Sequence, residues 1–159
     1  MGDRHHLHPL PEGVLYLVAI QDWYSRKILS WRLSPTLDLS FCLDALREAL
    51  ATYGSSQIFN TDQGSHFTAS SWVDMLKPHG VTISMDGKVR AIDNVFIERF
   101  WRSLKYEYVF LHPFEDGAEM KAGLKTYITW YNQLRPHSAL DDRTPDAVYA
   151  GGIMSNCAA

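Results

Sequence analysis

The chain has 159 residues, 46% of them apolar, 13% aromatic and 21% charged. That describes one globular domain rather than a disordered segment. A net charge of −3 gives no global attraction for nucleic acid, so DNA contact has to come from a local patch or from another domain. No apolar run reaches the roughly 18 residues that cross a bilayer, and Met1 to His6 lacks the apolar stretch of a signal peptide, so a cytoplasmic place is expected. Cys42 and Cys157 have no ligand spacing and read as buried or stray thiols.

In chain order, Val14 to Ile20 is a nearly unbroken β-branched and aromatic run, suited to a strand buried on both faces. Asp22 to Arg26 supplies a turn, and Lys27 to Leu33 the returning strand. Leu39, Cys42, Leu43, Leu46, Leu50 and Tyr53 share one helical face, with Thr36 or Asp38 as cap and Gly54 as stop. Residues 57–60 form a short strand leading into the polar loop Thr61 to Ser65. A helix over about 69–79 turns Trp72, Val73 and Leu76 inward, and 81–85 is another short strand. Residues 86–93 have no periodicity and read as a mobile loop. Ile97, Phe100 or Trp101, and Leu104 mark a helix from Asn94 to about Tyr106. A longer one, about 116–133, buries Met120, Leu124, Tyr127 and Tyr131, and Thr144-Pro145 starts a last helix. The order predicts a mixed α/β domain with a sheet between helices.

Two carboxylates carry the chemical interest. Asp62 follows a short buried strand, where open α/β sheets bind ligands, although Asp, Gly and Ser also favour ordinary turns. Glu98, Arg102 and Lys105 are spaced i, i+4, i+7, so one helix face carries an acid followed by two bases; a routine solvated Glu–Arg pair reads the same way. Between Asp62 and Glu98 stand 35 residues. Lys88, Arg90, Arg99, Arg102 and Lys105 put five of the fifteen basic residues between 86 and 106, which is the local patch that the overall charge requires.

In YLVAIQDWYSRKILSW, TDQGSHFT, DNVFIERFWRSLKYE, YNQLRPHSAL and RTPDAV, taken in that order, the chain resembles DDE transposases of the insertion-sequence type related to retroviral integrases. The resemblance runs from about Gly13 to Tyr149 and implies a ribonuclease H-like mixed sheet flanked by helices, with the first strand missing or altered. Residues 1–12 are expected to be an atypical N-terminal segment, 13–150 the integrase-type catalytic core, and 151–159 a tail. It further implies metal-dependent DNA cleavage and strand transfer, with Asp62 and Glu98 catalytic and holding Mg²⁺ or Mn²⁺ in a two-ion site. Lys105 and Arg102, with Lys88 and Arg90, are expected to contact DNA, both transposon ends and target. A homo-oligomer, or a hetero-oligomer with intact transposase, is implied as well, in a bacterial cytoplasm at the nucleoid and away from membrane. Asp22 belongs to the DWYSR turn and is not catalytic in the family. His66 and His137 have structural or DNA-near counterparts, and the His5, His6 and His8 cluster reads as tail. A glycosidase pair of carboxylates would leave Lys105 and the other motifs unexplained.

The family's first catalytic Asp lies in a segment resembling DITYIP, five residues before its Pro. Here Asp3 lies six before Pro9, and Arg4-His5-His6-Leu7-His8-Pro9 stands instead. The codons GAC ATC ACC TAC ATC CC, read one base earlier after a C, translate as Arg-His-His-Leu-His-Pro. The expectation is therefore a frameshifted, N-terminally truncated copy whose sheet lacks a proper first strand and whose metal site is impaired. Either it is an inactive catalytic-core fragment, or it is a non-enzymatic remnant that regulates intact transposase.

Overall fold

In the computed structural model the described backbone covers residues 2–10, 13–54, 58–60, 70–84 and 95–156, with side chains described within 13–54, 71–81 and 95–152. The expected loop at 86–93, the Thr61–Ser65 loop and Cys157 lie outside the described residues.

Strand β2 (Gly13–Gln21) organises the domain. It pairs antiparallel with β1 (Gly2–Leu10) on one side and with β3 (Ile28–Ser34) on the other. The N-terminal segment therefore does form a first strand, altered in sequence but in regular register from Gly2↔Ile20 to Leu7↔Leu15, with a shift before Leu10↔Gly13. Its ladder covers an edge of β2 that would otherwise expose a row of unpaired backbone groups.

β2 alternates between two cores, which is why its sequence is apolar without a break. Leu15, Leu17 and Ala19 join Ile97, Phe100, Trp101 and Leu104 of α3 (Val95–Glu107) and Met120, Leu124, Tyr127, Ile128 and Tyr131 of α4 (Gly117–Gln133). Val18 and Ile20 face the other way, onto Phe41, Cys42, Ala45, Leu46 and Ala49 of α1 (Leu39–Tyr53) and onto Trp72 and Leu76 of α2 (Ser70–Leu76). Burying a side chain such as Leu17 or Leu104 contributes about 1.5–3 kcal/mol. Both Phe100 and Trp101 are buried, so the inner stripe of α3 is wider than either residue alone would make it.

Parallel strands need a crossover, and α2 with the 3₁₀ turn Lys77–His79 supplies it between β4 (Ile58–Asn60) and β5 (Thr82–Ser84). The turn stops at Gly80, whose φ of 67° suits glycine. Asp38 stands at the N-cap of α1, but its carboxylate accepts a hydrogen bond from the Thr36 hydroxyl rather than from the helix backbone. α4 has a true cap. Asp116 Oδ1 accepts from Glu119 N–H at 2.8 Å, while Glu119 Oε2 accepts from Glu115 N–H at 2.7 Å. The last helix, α5, spans Pro145–Asn156.

Candidate metal and nucleic-acid site

α3 buries Ile97, Phe100, Trp101 and Leu104 on one side, so its 3.6-residue period turns Glu98, Arg99, Arg102 and Tyr106 outward. Lys105 is half-buried beside them. Glu98 sits in the first helical turn and Lys105 in the last, each favoured there by the helix dipole. Glu98 and Arg102 form no ion pair, and the Glu98 carboxylate has no hydrogen-bond partner among the described residues. Among the described residues the outer face of α3 thus carries an acid without an ion-pair partner at its start, followed by three bases.

The turn between β2 and β3 pins the first turn of this helix. Arg26 places its guanidinium carbon 3.2 Å from the centre of the Phe96 ring, and Trp23 meets the same ring edge-on at 6.3 Å. Arg26 Nη1 donates to the Trp23 carbonyl at 2.5 Å. Arg26 itself is held at φ 65°, and its N–H donates to the Asp22 carbonyl at 2.8 Å. Asp22 is consumed by this turn. Its Oδ2 accepts from Ser25 N–H at 2.8 Å and from Ser25 Oγ at 2.6 Å.

The other end of α3 is fastened to the segment after α4. Arg135 donates from Nε to Glu107 Oε2 at 2.9 Å and from Nη2 to Oε1 at 2.5 Å, and Tyr127 OH donates to Oε2 at 2.8 Å. Burial would raise the Glu107 pKa, but the hydrogen bonds from Arg135 and Tyr127 outweigh it and hold the carboxyl below its ordinary range. Burial, and then Glu107, pushes the Tyr127 hydroxyl far up. His137 packs edge-on against Tyr131 at 4.7 Å, and burial followed by the charge of Arg135 lowers its pKa. This His is structural support rather than part of the outward face. Neither Arg26–Phe96 nor Glu107–Arg135 is legible in the sequence: each pairs residues far apart in the chain, and no local spacing signals such a contact.

A model described as Integrase core domain matches residues 1–91, more than half of the chain, and a second model of the same description matches residues 79–145. The chain belongs to the integrase core domain family.

This integrase core is 35% identical over 148 residues to the transposase for insertion sequence element IS904 of Lactococcus lactis, covering 91% of the chain and 58% of that protein. It is 33% identical over 138 residues to transposase InsF for insertion sequence IS3A of Escherichia coli, covering 85% of the chain and 48% of that protein. The chain thus spans about half the length of the curated relatives it matches. Among solved structures, the HTLV-2 integrase catalytic core domain in complex with magnesium superposes with a TM-score of 0.72 at 17% identity, covering 92% of each chain. The BIV integrase catalytic core gives 0.69 at 16% identity, covering 98% of this chain and 96% of that one. The ribonuclease H-like fold is therefore the integrase one.

Of the residues singled out in this integrase core, Glu98, Arg102 and Lys105 lie together on α3, whereas Asp62, His66, Lys88 and Arg90 lie outside the described residues. Glu98 offers the hard carboxylate oxygen that Mg²⁺ takes. Among the described residues no three His, Cys, Asp or Glu side chains gather as a metal cluster.

Proposed function

We propose that this chain is the catalytic core of an insertion-sequence transposase, built for metal-dependent DNA strand cleavage and strand transfer, and that this copy has lost strand transfer. The Asp62–Glu98 spacing within an integrase core supports the first half. Mg²⁺ or Mn²⁺ held by Asp62 and Glu98 would supply Lewis-acid activation of the attacking hydroxyl and the leaving oxygen. Glu98 offers that ion a carboxylate with no ion-pair partner among the described residues, while Arg102 and Lys105, with Lys88 and Arg90, hold the phosphates of transposon-end and target DNA. The magnesium of the HTLV-2 integrase core and its dimeric and trimeric forms support both the cofactor and an oligomer of this chain. A cytoplasmic, nucleoid-associated place goes with this reading; no helix among the described residues is long and apolar enough to cross a membrane.

One observation carries the loss of activity. The position five residues before Pro9, where the family holds its first Asp, is Arg4, set opposite Val18 in the β1–β2 ladder. Asp3 pairs with Ala19, six residues before Pro9 rather than five. A guanidinium in place of a carboxylate would offer a divalent cation no ligand and would repel it. The deciding assay incubates the chain with transposon-end DNA and Mg²⁺. No strand transfer is expected, and robust cleavage abolished by Asp62→Ala would overturn the reading. A second reading is favoured by the formation of β1: a core with its first strand in place can join intact transposase and inhibit it. Reduced transposition by a co-expressed full-length relative is the expected sign.

A further inference from the structure

The end of α3 carries an exposed group that the carboxylates and the phosphate contacts leave unexplained. Tyr106 is 64% exposed, and Phe110 and Leu111, just past the helix, are 49% and 67% exposed. Single exposed apolar residues are ordinary, but three within six residues form a patch. Tyr106 and Phe110 meet edge to face at 5.3 Å, with ring planes 87° apart. The Arg102 guanidinium carbon lies 6.0 Å from the Tyr106 ring centre. On the outward face this pair therefore continues the line Glu98, Arg99, Arg102. Glu107, the only acid in that last turn, is engaged by Arg135 and Tyr127 and leaves little free negative charge there.

We propose that Tyr106 and Phe110 form a stacking platform for unpaired DNA bases, fed by the phosphate-binding face of α3. The proposal rests on the DNA-processing reading above and adds to it a contact with bases. Local charge favours DNA as the occupant: Arg99, Arg102 and Lys105 lead into the rings and attract a phosphate backbone, while Glu107, the acid of that turn, is neutralised by Arg135. Basic residues leading into exposed aromatic rings are the composition by which proteins hold single strands, because every base offers a flat face whatever its identity. Eight residues of helix set Tyr106 about 12 Å along the axis from Glu98. At about 3.4 Å per nucleotide, that is three to four nucleotides from the carboxylate. The platform would hold a frayed end at that distance.

The test measures fluorescence anisotropy of the 159-residue chain with two labelled twelve-nucleotide single strands of equal charge, one of thymidines and one of abasic sites. The thymidine strand should bind about tenfold tighter, the effect of roughly one stacked base. Tyr106→Leu with Phe110→Leu, which keeps the apolar character but removes the rings, should lower thymidine binding to the abasic level and leave abasic binding unchanged. Tyr106→Phe should retain the preference. Arg102→Gln should weaken both strands alike. Thermal melting of each variant checks that it is folded. Equal wild-type affinity for the two strands, or an equal loss on both in the leucine variant, overturns the platform while leaving DNA binding intact. Conversion of a dimer to a monomer by the leucine variant, without a base-dependent loss, also overturns it and assigns the patch to a second copy. Absence of binding to either strand overturns the platform together with the reading beneath it.

Discussion

Glu107 and Arg135, 28 residues apart, form a two-pronged ion pair that ties the end of α3 to the segment after α4. Tyr127 adds a third hydrogen bond to the same carboxylate. The pair fixes the direction of the helix that presents Glu98, Arg102 and Tyr106, so its loss acts on the whole outward face.

Removing Glu107 leaves Arg135 and Tyr127 without their acceptor. Glu107→Ala should destabilise the fold by roughly 1–3 kcal/mol, measured by urea unfolding at neutral pH. The pair also predicts a pH dependence. Glu107 is depressed in the folded chain, so its contribution is present above the unfolded carboxyl value of about 4.3 and is lost as pH falls through the folded value. His137, depressed by burial, contributes stability above about pH 6.5 that is lost as pH falls through its folded value. Unfolding free energy should therefore begin to drop below about pH 6.5 and drop again below about 4.3. His137→Gln should remove the first limb only, and an unchanged limb would exclude His137 as its source.

Asp22 Oδ2 is engaged within the β2–β3 turn. Both bonds to its Oδ2 come from Ser25, within the turn that also holds Arg26 against Phe96. Asp22→Ala should lower stability by about 1–2 kcal/mol, or several degrees of melting temperature, and leave Mn²⁺ affinity in calorimetry unchanged. A loss of metal binding in a folded Asp22→Ala chain would make it a ligand instead.

Gly123 on α4 leaves room for Tyr108. A Cβ at this position would stand 2.5 Å from the Tyr108 hydroxyl and 3.1 Å from a Phe114 ring carbon. Alanine gains about 1 kcal/mol of helix propensity, but the clash should exceed it, because Tyr108 is also stacked on His112 and packed by Tyr127. Gly123→Ala should be destabilising, and Tyr108→Phe should recover most of the loss in the double variant. Chemical denaturation of the four chains closes this cycle.

The Arg4 position supplies a gain-of-function test of the proposed impairment. Arg4→Asp places a carboxylate five residues before Pro9 and removes a cation from β1. Mn²⁺ affinity should rise at least about tenfold, as follows when a carboxylate joins a hard-cation site. Unchanged affinity would mean that the missing ligand is not what limits metal binding.

Local pattern made much of this protein legible. α1, α3 and α4 appear where the apolar spacing puts them, because a helix needs only one face to be buried and that face repeats every 3.6 residues. The unbroken apolar run of β2 likewise announced a strand covered on both sides, and the motif order announced the family. Asp62 remains known from sequence alone. Three matters were decided only by tertiary structure. Residues 2–10 pair with β2 although their own residues, rich in His, do not look like a core strand, because backbone ladders form between main-chain groups that every residue but Pro carries. Arg26 meets Phe96, and Glu107 meets Arg135, across stretches of chain that no periodicity can span. The sequence by itself determined the main helices, the buried strand β2 and the family. Only folding determined which side chains hold α3 in place, since that depends on contacts between parts of the chain whose spacing in sequence carries no information about their distance in space.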